Sequence, residues 1–398
     1  MISSERSLPR AVAVLSQEAD TAKAARQACQ EATQKLGATP HLAVVFSSFH
    51  HQARFGELAE IFRGELPTDG LLGCTGESIV CNDREIEAQP AVAVWLAHLP
   101  DTTLVPVELE FEGTDDGGTI SGWPEELDAD ATRDTSLLLL ADPYSFPADA
   151  LLTHLNEDRP GMCVMGGMAS GGRVGGDNRL LLGHRVLDTG AVGLLIRGAT
   201  RLRSVVSQGC RPIGRPLVVT KADGNIILEL GGRPALAQLQ EIFATLEPEV
   251  QGLLRNGLHL GQVINEYQES FDRGDFLVRN VQGADPDSGA IAVGDFVRVG
   301  QTVQFQVRDA ATADEDLDAM LSAAKTGSAD DCLGALLFTC NGRGTRLFDA
   351  PDHDARCLSR HLQGRPVAGF FAQGEIGPVG GKSFVHGFTA SIALFEAP

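Results

Sequence analysis

Apolar residues fall along this chain in two rhythms. Residues 11–15 (AVAVL), 41–48 (HLAVVFSS) and 70–74 (GLLGC) are short continuous apolar runs of strand length. Between the first two, Ala22, Ala25, Cys29, Ala32 and Leu36 recur at three- and four-residue steps and Gly37 follows, which predicts a helix ended by a left-handed cap. Phe55, Leu58, Ala59 and Phe62 predict a second amphipathic helix. The β-α-β-α-β order calls for mixed α/β layers. From 91 to 111 the pattern becomes strand-rich, and 137–141 (LLLLA) reads as a buried strand followed by a helix that Pro147 starts. Residues 162–167 predict a strand running into a loop. Residues 178–182, 191–197 and 201–208 predict a run of antiparallel strands.

Two prolines and two glycines within 209–216 (GCRPIGRP) break the pattern, so one domain is expected over 1–215 and a second over 216–398. A hairpin is predicted next, with Asp223-Gly224 at its turn. Pro234 then opens a helix striped by Leu236, Leu239, Phe243 and Leu246. Strands are expected at 275–280 and 295–309. Leu317, Met320, Leu321 and Ala324 mark another helix, which Asp314, Glu315, Asp316 and Asp318 are expected to open, where the dipole favours acids; a cation site on these four acids is the weaker alternative. Strands at 334–340, 367–371 and 388–395, with a helix near 352–362, complete the chain. The fold class expected is α/β in the mixed (α+β) sense: two associated domains with mixed, largely antiparallel sheets covered by helices. No sequence repeat is visible.

Composition narrows the function. Lys and Arg number 32 against 53 Asp and Glu, a net charge of −21 with pI near 4.8. A chain this acidic repels phosphate backbones and anionic lipid heads, so nucleic acid and membrane are not expected as partners. The N-terminus lacks the apolar core of a signal peptide, and no apolar run nears the ~18 residues of a membrane span. The eight cysteines form no C-x-x-C pair and no Cys/His ligand spacing, so no metal is expected, and reduced thiols in a cytoplasmic protein are. Glycine is the outlier, at 45 of 398 residues against a usual ~7%.

Four stretches could carry chemistry. In 71–78 (LLGCTGES), Gly73, Cys74, Thr75 and Glu77 at a strand end could offer a thiol, a hydroxyl and free N–H groups; no Walker A sequence follows. Residues 165–178 hold six glycines, among them Gly166 and Gly167, together with Ser170, and could line a pocket with N–H donors. They lack G-x-G-x-x-G and G-x-S-x-G spacing, so no nucleotide cofactor or hydrolase elbow is expected. In 336–348, Cys340 ends a strand and Asn341, Gly342, Arg343 and Gly344 turn out of it, which could aim the Arg343 fork at a carboxylate or phosphate, or at an internal acid. In 367–395, Glu375 and His386 flank a glycine-rich loop before Thr389. Cys340, Glu375 and His386 are then candidates for a Cys-His-acid site. His50-His51 has no third ligand at metal spacing.

The last two stretches together resemble the C-terminal half of the FIST family (F-box and intracellular signal transduction proteins): FTCNGRG at 338–344 and PVAGFFAQGEIGPVGGKSFVHGFTASI at 366–392. GCTGES at 73–78, the GG-x-AS loop at 166–170 and VTKADGN at 219–225 are similar to the N-terminal half and the junction. The match runs in order from about 20 to 395. It implies an N-type and a C-type domain, tightly associated, and a role in sensing small ligands, with amino acids or related metabolites as the class. No F-box or output domain accompanies the module, so a signal would pass through a domain rearrangement or a partner protein. No catalytic mechanism or cofactor comes with the family. The reading that follows is a small polar ligand held between the domains: its carboxylate on Arg343, an amine or hydroxyl on Glu375 and His386, and N–H groups near Gly73 and Gly166 around it. The alternatives are a cysteine-dependent enzyme using Cys340 or Cys74, and a protein-interaction scaffold.

Overall fold

The structure, a computed structural model, describes residues 8–114, 117–125, 135–254, 257–271, 273–324 and 332–397. It contains two compact units. The larger takes residues from the N-terminal half up to Val206 and from Leu317 onward; the smaller takes Ser207–Asp316 with His386–Phe388. The units therefore do not lie on either side of residue 215, because strands from the end of the chain pair with strands from its beginning.

The larger unit uses one supersecondary pattern three times. A buried strand (Leu42–Ser48, Thr135–Ala141, Cys332–Cys340) leads through a helix (Phe55–Glu65, Ala148–Asp158, His353–His361) to a parallel partner (Gly70–Gly76, Cys163–Met168, Val367–Ala372). A hairpin follows: Ile79–Cys81 with Arg84–Ile86, Leu180–Leu182 with Arg185–Leu187, or Glu375–Val379 with Lys382–His386. A last strand (Val92–His98, Ala191–Gly198, Thr389–Glu396) returns antiparallel beside the first. The hairpins are exchanged around a ring. The first pairs with Val367–Ala372, the second with Gly70–Gly76 and the third with Cys163–Met168. The recurrence is one of topology, which is why the sequence shows no repeat.

Each strand alternates between two apolar surroundings. Leu42, Val44, Phe46, Leu138, Leu140, Leu336, Phe338 and Phe370 meet in one core shared by the three sheets. The intervening residues face helices: Ala43 and Val45 meet Phe55 and Phe62, Leu137 and Leu139 meet Leu151, and Ala335 and Leu337 meet Leu317 and Leu358. Burial on both faces explains the unbroken apolar runs. The first helix, Thr21–Leu36, is capped as expected, with Asp20 accepting from Lys23 N and Gly37 at φ 60°.

One glycine recurs in all three patterns. Gly73, Gly166 and Gly369 sit in register with Val45, Leu139 and Leu337 of the parallel partner. A Cβ at any of them would fall inside the carbonyl oxygen of that partner. We expect Gly369→Ala to destabilise the protein by about 3 kcal/mol or more, above the ordinary cost of core overpacking because backbone and not a side chain must move. Thermal melting checks it: an unchanged Tm would show that the strands can separate freely there.

The smaller unit is a sheet of Cys210–Pro212, Thr302–Arg308, Leu217–Asp223, Ile226–Leu230, Ala290–Val293, Phe276–Asp285 and Leu258–Val263, covered by the helix Ala235–Thr245. The hairpin forms, but Asp223 pairs with Ile226, so Gly224-Asn225 and not Asp223-Gly224 make the turn; Gly224 supplies its φ of 59°. The covering helix buries Ala235, Gln238 and Ile242, while Phe243 is 43% exposed. Leu236, Leu239 and Leu246 of the predicted stripe pack against the core, whose centre is taken by Ala235 and by Ile242 packing over Gly214. The helix Ala310–Ala324 begins before Asp314, so the acids lie inside it. Asp316 is buried there and accepts from Ser207 Oγ and Gln208 N, both at 2.8 Å.

Candidate functional site

The three loops that leave the parallel strands converge. Ser170 N donates to Thr75 O at 3.1 Å, and Ser170 Oγ accepts from Glu77 N at 2.9 Å while donating to Phe371 O. Met168 N donates to Gly374 O, and Asn341 N to Ala372 O. Gly167 lies directly opposite Glu375 in the exchanged pairing. The structure therefore brings together residues from 73–78, 166–171, 340–344 and 372–375 at the carboxyl ends of the parallel strands. In open α/β sheets that is where ligands collect.

Glu375 forms the floor of this cluster. It is fully buried, and its Oε2 accepts from Thr389 N at 3.1 Å and Thr389 Oγ1 at 2.8 Å. Its Oε1 has no hydrogen-bond partner among the described residues. Burial raises the carboxyl to about 8; the Thr389 bonds, the Cys340 thiol and the Arg343 charge oppose this without cancelling it. Glu375 is consequently a neutral acid at pH 7, able to donate as well as accept. The half-buried Cys340 lies close enough to act on this carboxyl, and Gly342 N donates to Cys340 Sγ at 3.4 Å. Asn341 Oδ1 is another buried atom with no partner among the described residues.

Arg343 has a different role from the one its glycine-flanked turn suggested. It is 0% exposed, and its fork is already filled: Nε donates to Asp354 Oδ2 at 2.7 Å and Nη2 to Asp354 Oδ1 at 2.8 Å. Phe348 lies under the guanidinium, 5.2 Å from ring centroid to Cζ. Burial works against both charges of this pair, and their mutual attraction outweighs it, holding Asp354 well below the usual carboxylate range and Arg343 above its ordinary value. Asp354 also accepts from Thr339 Oγ1 at 2.6 Å and lies 2.9 Å from His353 Nδ1. A bidentate grip on a ligand carboxylate is thus closed to Arg343, and Nη1 alone of its nitrogens lacks a partner among the described residues. Gly344, at φ 58° and packed against Phe371, makes the turn that sends the arginine inward.

Other candidates are structural. Gly73 and Gly166 are ladder positions whose missing side chains admit neighbouring carbonyls, and not free N–H donors of a loop. Cys74 is fully buried, and desolvation pushes its thiol well above the ordinary value, the reverse of activation. Thr75 Oγ1 accepts from Arg179 N, and Glu77 pairs with Arg346 at the surface. The glycine-rich loop is pinned: Gly172 N donates to Asn178 Oδ1 at 2.7 Å, and Asn178 Nδ2 to the buried Asp142 at 2.9 Å. His386 is buried and groups with the smaller unit; the hydroxyl on Glu375 is that of Thr389.

Two members of the cluster were not singled out from the sequence. Asp354 shares the buried face of its helix with Ala355 and Leu358, and an acid in an apolar stripe was the available signal. Glu85 comes from the exchanged first hairpin. Its Oε1 accepts from Ala355 N at 2.9 Å, and burial, then the charge of Asp354, raises it to about 8. Nothing local in its sequence announces that contact.

Comparison with known proteins matches this architecture to two adjoining family descriptions, the FIST N domain over residues 41–233 and the FIST C domain over residues 235–378. The chain belongs to the FIST family. It is 48% identical over 377 residues to Uncharacterized protein Rv0628c of Mycobacterium tuberculosis (strain ATCC 25618 / H37Rv), covering 94% of this chain and 97% of that one. It is 46% identical over 377 residues to Uncharacterized protein Mb0898c of Mycobacterium bovis (strain ATCC BAA-935 / AF2122/97), covering 94% and 96%. FIST domains are associated with sensing in signal transduction. No helix among the described residues is long and apolar enough to cross a membrane.

Proposed function

We propose that this protein is a sensor that binds a small polar metabolite, of the amino-acid class, over Cys340, Asn341 and Glu375. The observation that carries the reading is the unsatisfied Oε1 of a fully buried Glu375 near the half-buried Cys340. A buried polar atom without a partner costs about 1–3 kcal/mol, and a ligand that supplies the partner recovers it. An amine or hydroxyl suits Glu375 Oε1 and Asn341 Oδ1. Because Arg343 is committed to Asp354, the ligand is held through its hydrogen-bonding groups and not through a bidentate carboxylate. Occupancy would reach its output through a domain rearrangement or a partner protein.

A thermal-shift screen of amino acids and related amines tests this on the wild type, Glu375→Gln and Asn341→Ala. We expect at least one compound to raise the wild-type Tm and to lose most of that effect in both variants. Stabilisation of none of them, or of all three equally, would remove the reading. Gly342 N–H on the Cys340 sulfur also favours a second reading, cysteine chemistry at Cys340. Its mark would be alkylation of Cys340 well below pH 8, with Cys74 unreactive.

A further inference from the structure

We propose that Asp318, Cys357 and His361 form a site for a zinc-like divalent cation, separate from the Glu375 cluster. Cys357 and His361 are four residues apart on the helix His353–His361, so they project from the same face. Asp318 comes from a different helix, Ala310–Ala324. The Cys sulfur, a His ring nitrogen and an Asp carboxylate oxygen all lie within 4.8 Å of one another. His361 Nε2 is 2.7 Å from Asp318 Oδ1, a separation that a small rotation would widen to accommodate a metal. This departs from the expectation of no metal, since the third ligand lies 39 residues before Cys357 and no local spacing reveals it.

The donor set selects the ion. Thiolate and imidazole exclude calcium and magnesium, which take oxygen ligands. One sulfur, one nitrogen and one oxygen match the ligands of tetrahedral Zn²⁺, with bond lengths of about 2.0–2.3 Å. Cys357 is almost fully buried, whereas the Asp318 side chain is 56% exposed, so a fourth position opens to water on the Asp318 side. The His361 side chain is only 9% exposed, and its Nδ1 has no partner among the described residues, which leaves Nε2 as the nitrogen turned toward the other two ligands. Burial raises the Cys357 thiol above its ordinary value, and a hydrogen bond from Arg360 opposes this without cancelling it, so the metal itself must displace the thiol proton. On binding, the Cys357 S–H bond breaks, its electron pair passes to the metal, and the proton is released to solvent. The metal would join the helix that precedes the strand Cys332–Cys340 to the helix that follows it.

The full-length chain, stripped with chelator, should be titrated with Co²⁺ as the probe. We expect one ion per chain, release of one proton per ion, and a thiolate-to-cobalt charge-transfer band that Zn²⁺ displaces. Cys357→Ser should abolish the band, and His361→Ala and Asp318→Asn should each weaken binding by about tenfold or more. Should Cys357→Ser fail to fold, His361→Ala and Asp318→Asn decide the matter, because both change residues with a solvent-facing edge. The absence of saturable one-to-one binding, or binding that His361→Ala and Asp318→Asn leave intact, overturns the proposal.

Discussion

Arg343→Met should lower the unfolding free energy by about 3–5 kcal/mol at neutral pH, the usual cost of removing one partner from a buried ion pair. The loss comes chiefly from what remains: Asp354, 1% exposed, would be stranded without a counter-charge, with Thr339 and His353 as its hydrogen-bond partners and the acid Glu85 nearby. Arg343→Lys should recover little, because an ammonium cannot reproduce the two parallel bonds to both carboxylate oxygens. The double variant Arg343→Met, Asp354→Leu should be more stable than Arg343→Met alone, since the stranded charge is then gone. Urea unfolding of these proteins, with Asp354→Leu alone added to close the cycle, measures the coupling. A loss below about 1 kcal/mol in Arg343→Met would show the pair behaving as a surface ion pair.

The second large effect is on pH dependence. Glu375 titrates near 8 in the folded chain against 4.5 for an ordinary glutamate. Between those values the folded state holds a proton that the unfolded state has lost. Its stabilising contribution is therefore complete below about pH 4.5 and disappears as pH rises through 8, at up to about 1.4 kcal/mol per pH unit. Glu375→Gln removes the titration while keeping the shape. We expect the variant to gain on the wild type steadily from pH 5 to 8. Glu85 is raised in the same direction and stays in both proteins, so the measured quantity is the difference in slope and not the slope itself. Parallel stability curves would mean that Glu375 is not buried as a neutral acid.

Much of this architecture is legible from residue order. The helix at Thr21–Leu36, its Gly37 cap and the βαβ arrangement around Phe55–Glu65 follow from periodicity and capping. What periodicity cannot carry is partnership across the chain. Glu85 and Ala355 are 270 positions apart, and nothing near either residue indicates the other. The helix Ala235–Thr245 shows a smaller shift of the same kind: Leu236, Leu239 and Leu246 of the predicted stripe pack against the core, but Ala235 and Ile242 take its centre and Phe243 turns out. At the candidate site, the turn at 341–344 was visible as a device for placing Arg343. Whether it placed the fork toward a ligand or an internal acid depended on Asp354. The glycine excess has a comparable resolution, since Gly73, Gly166 and Gly369 admit backbone and not a ligand.

The exchanged hairpins also set a timetable for biosynthesis. Asn82 accepts a hydrogen bond from Val367 N, 285 positions later, and among the described residues the strand Ile79–Cys81 pairs on that side with Val367–Ala372. At roughly 5–20 residues per second, a ribosome needs about 15–60 s to deliver the second strand after the first. Throughout that interval the emerging chain carries an apolar strand edge with no neighbour and an incomplete common core. Nascent copies on one message are then exposed to pairing with each other, so yield should depend more on translation rate and chaperone supply than on the stability of the finished protein.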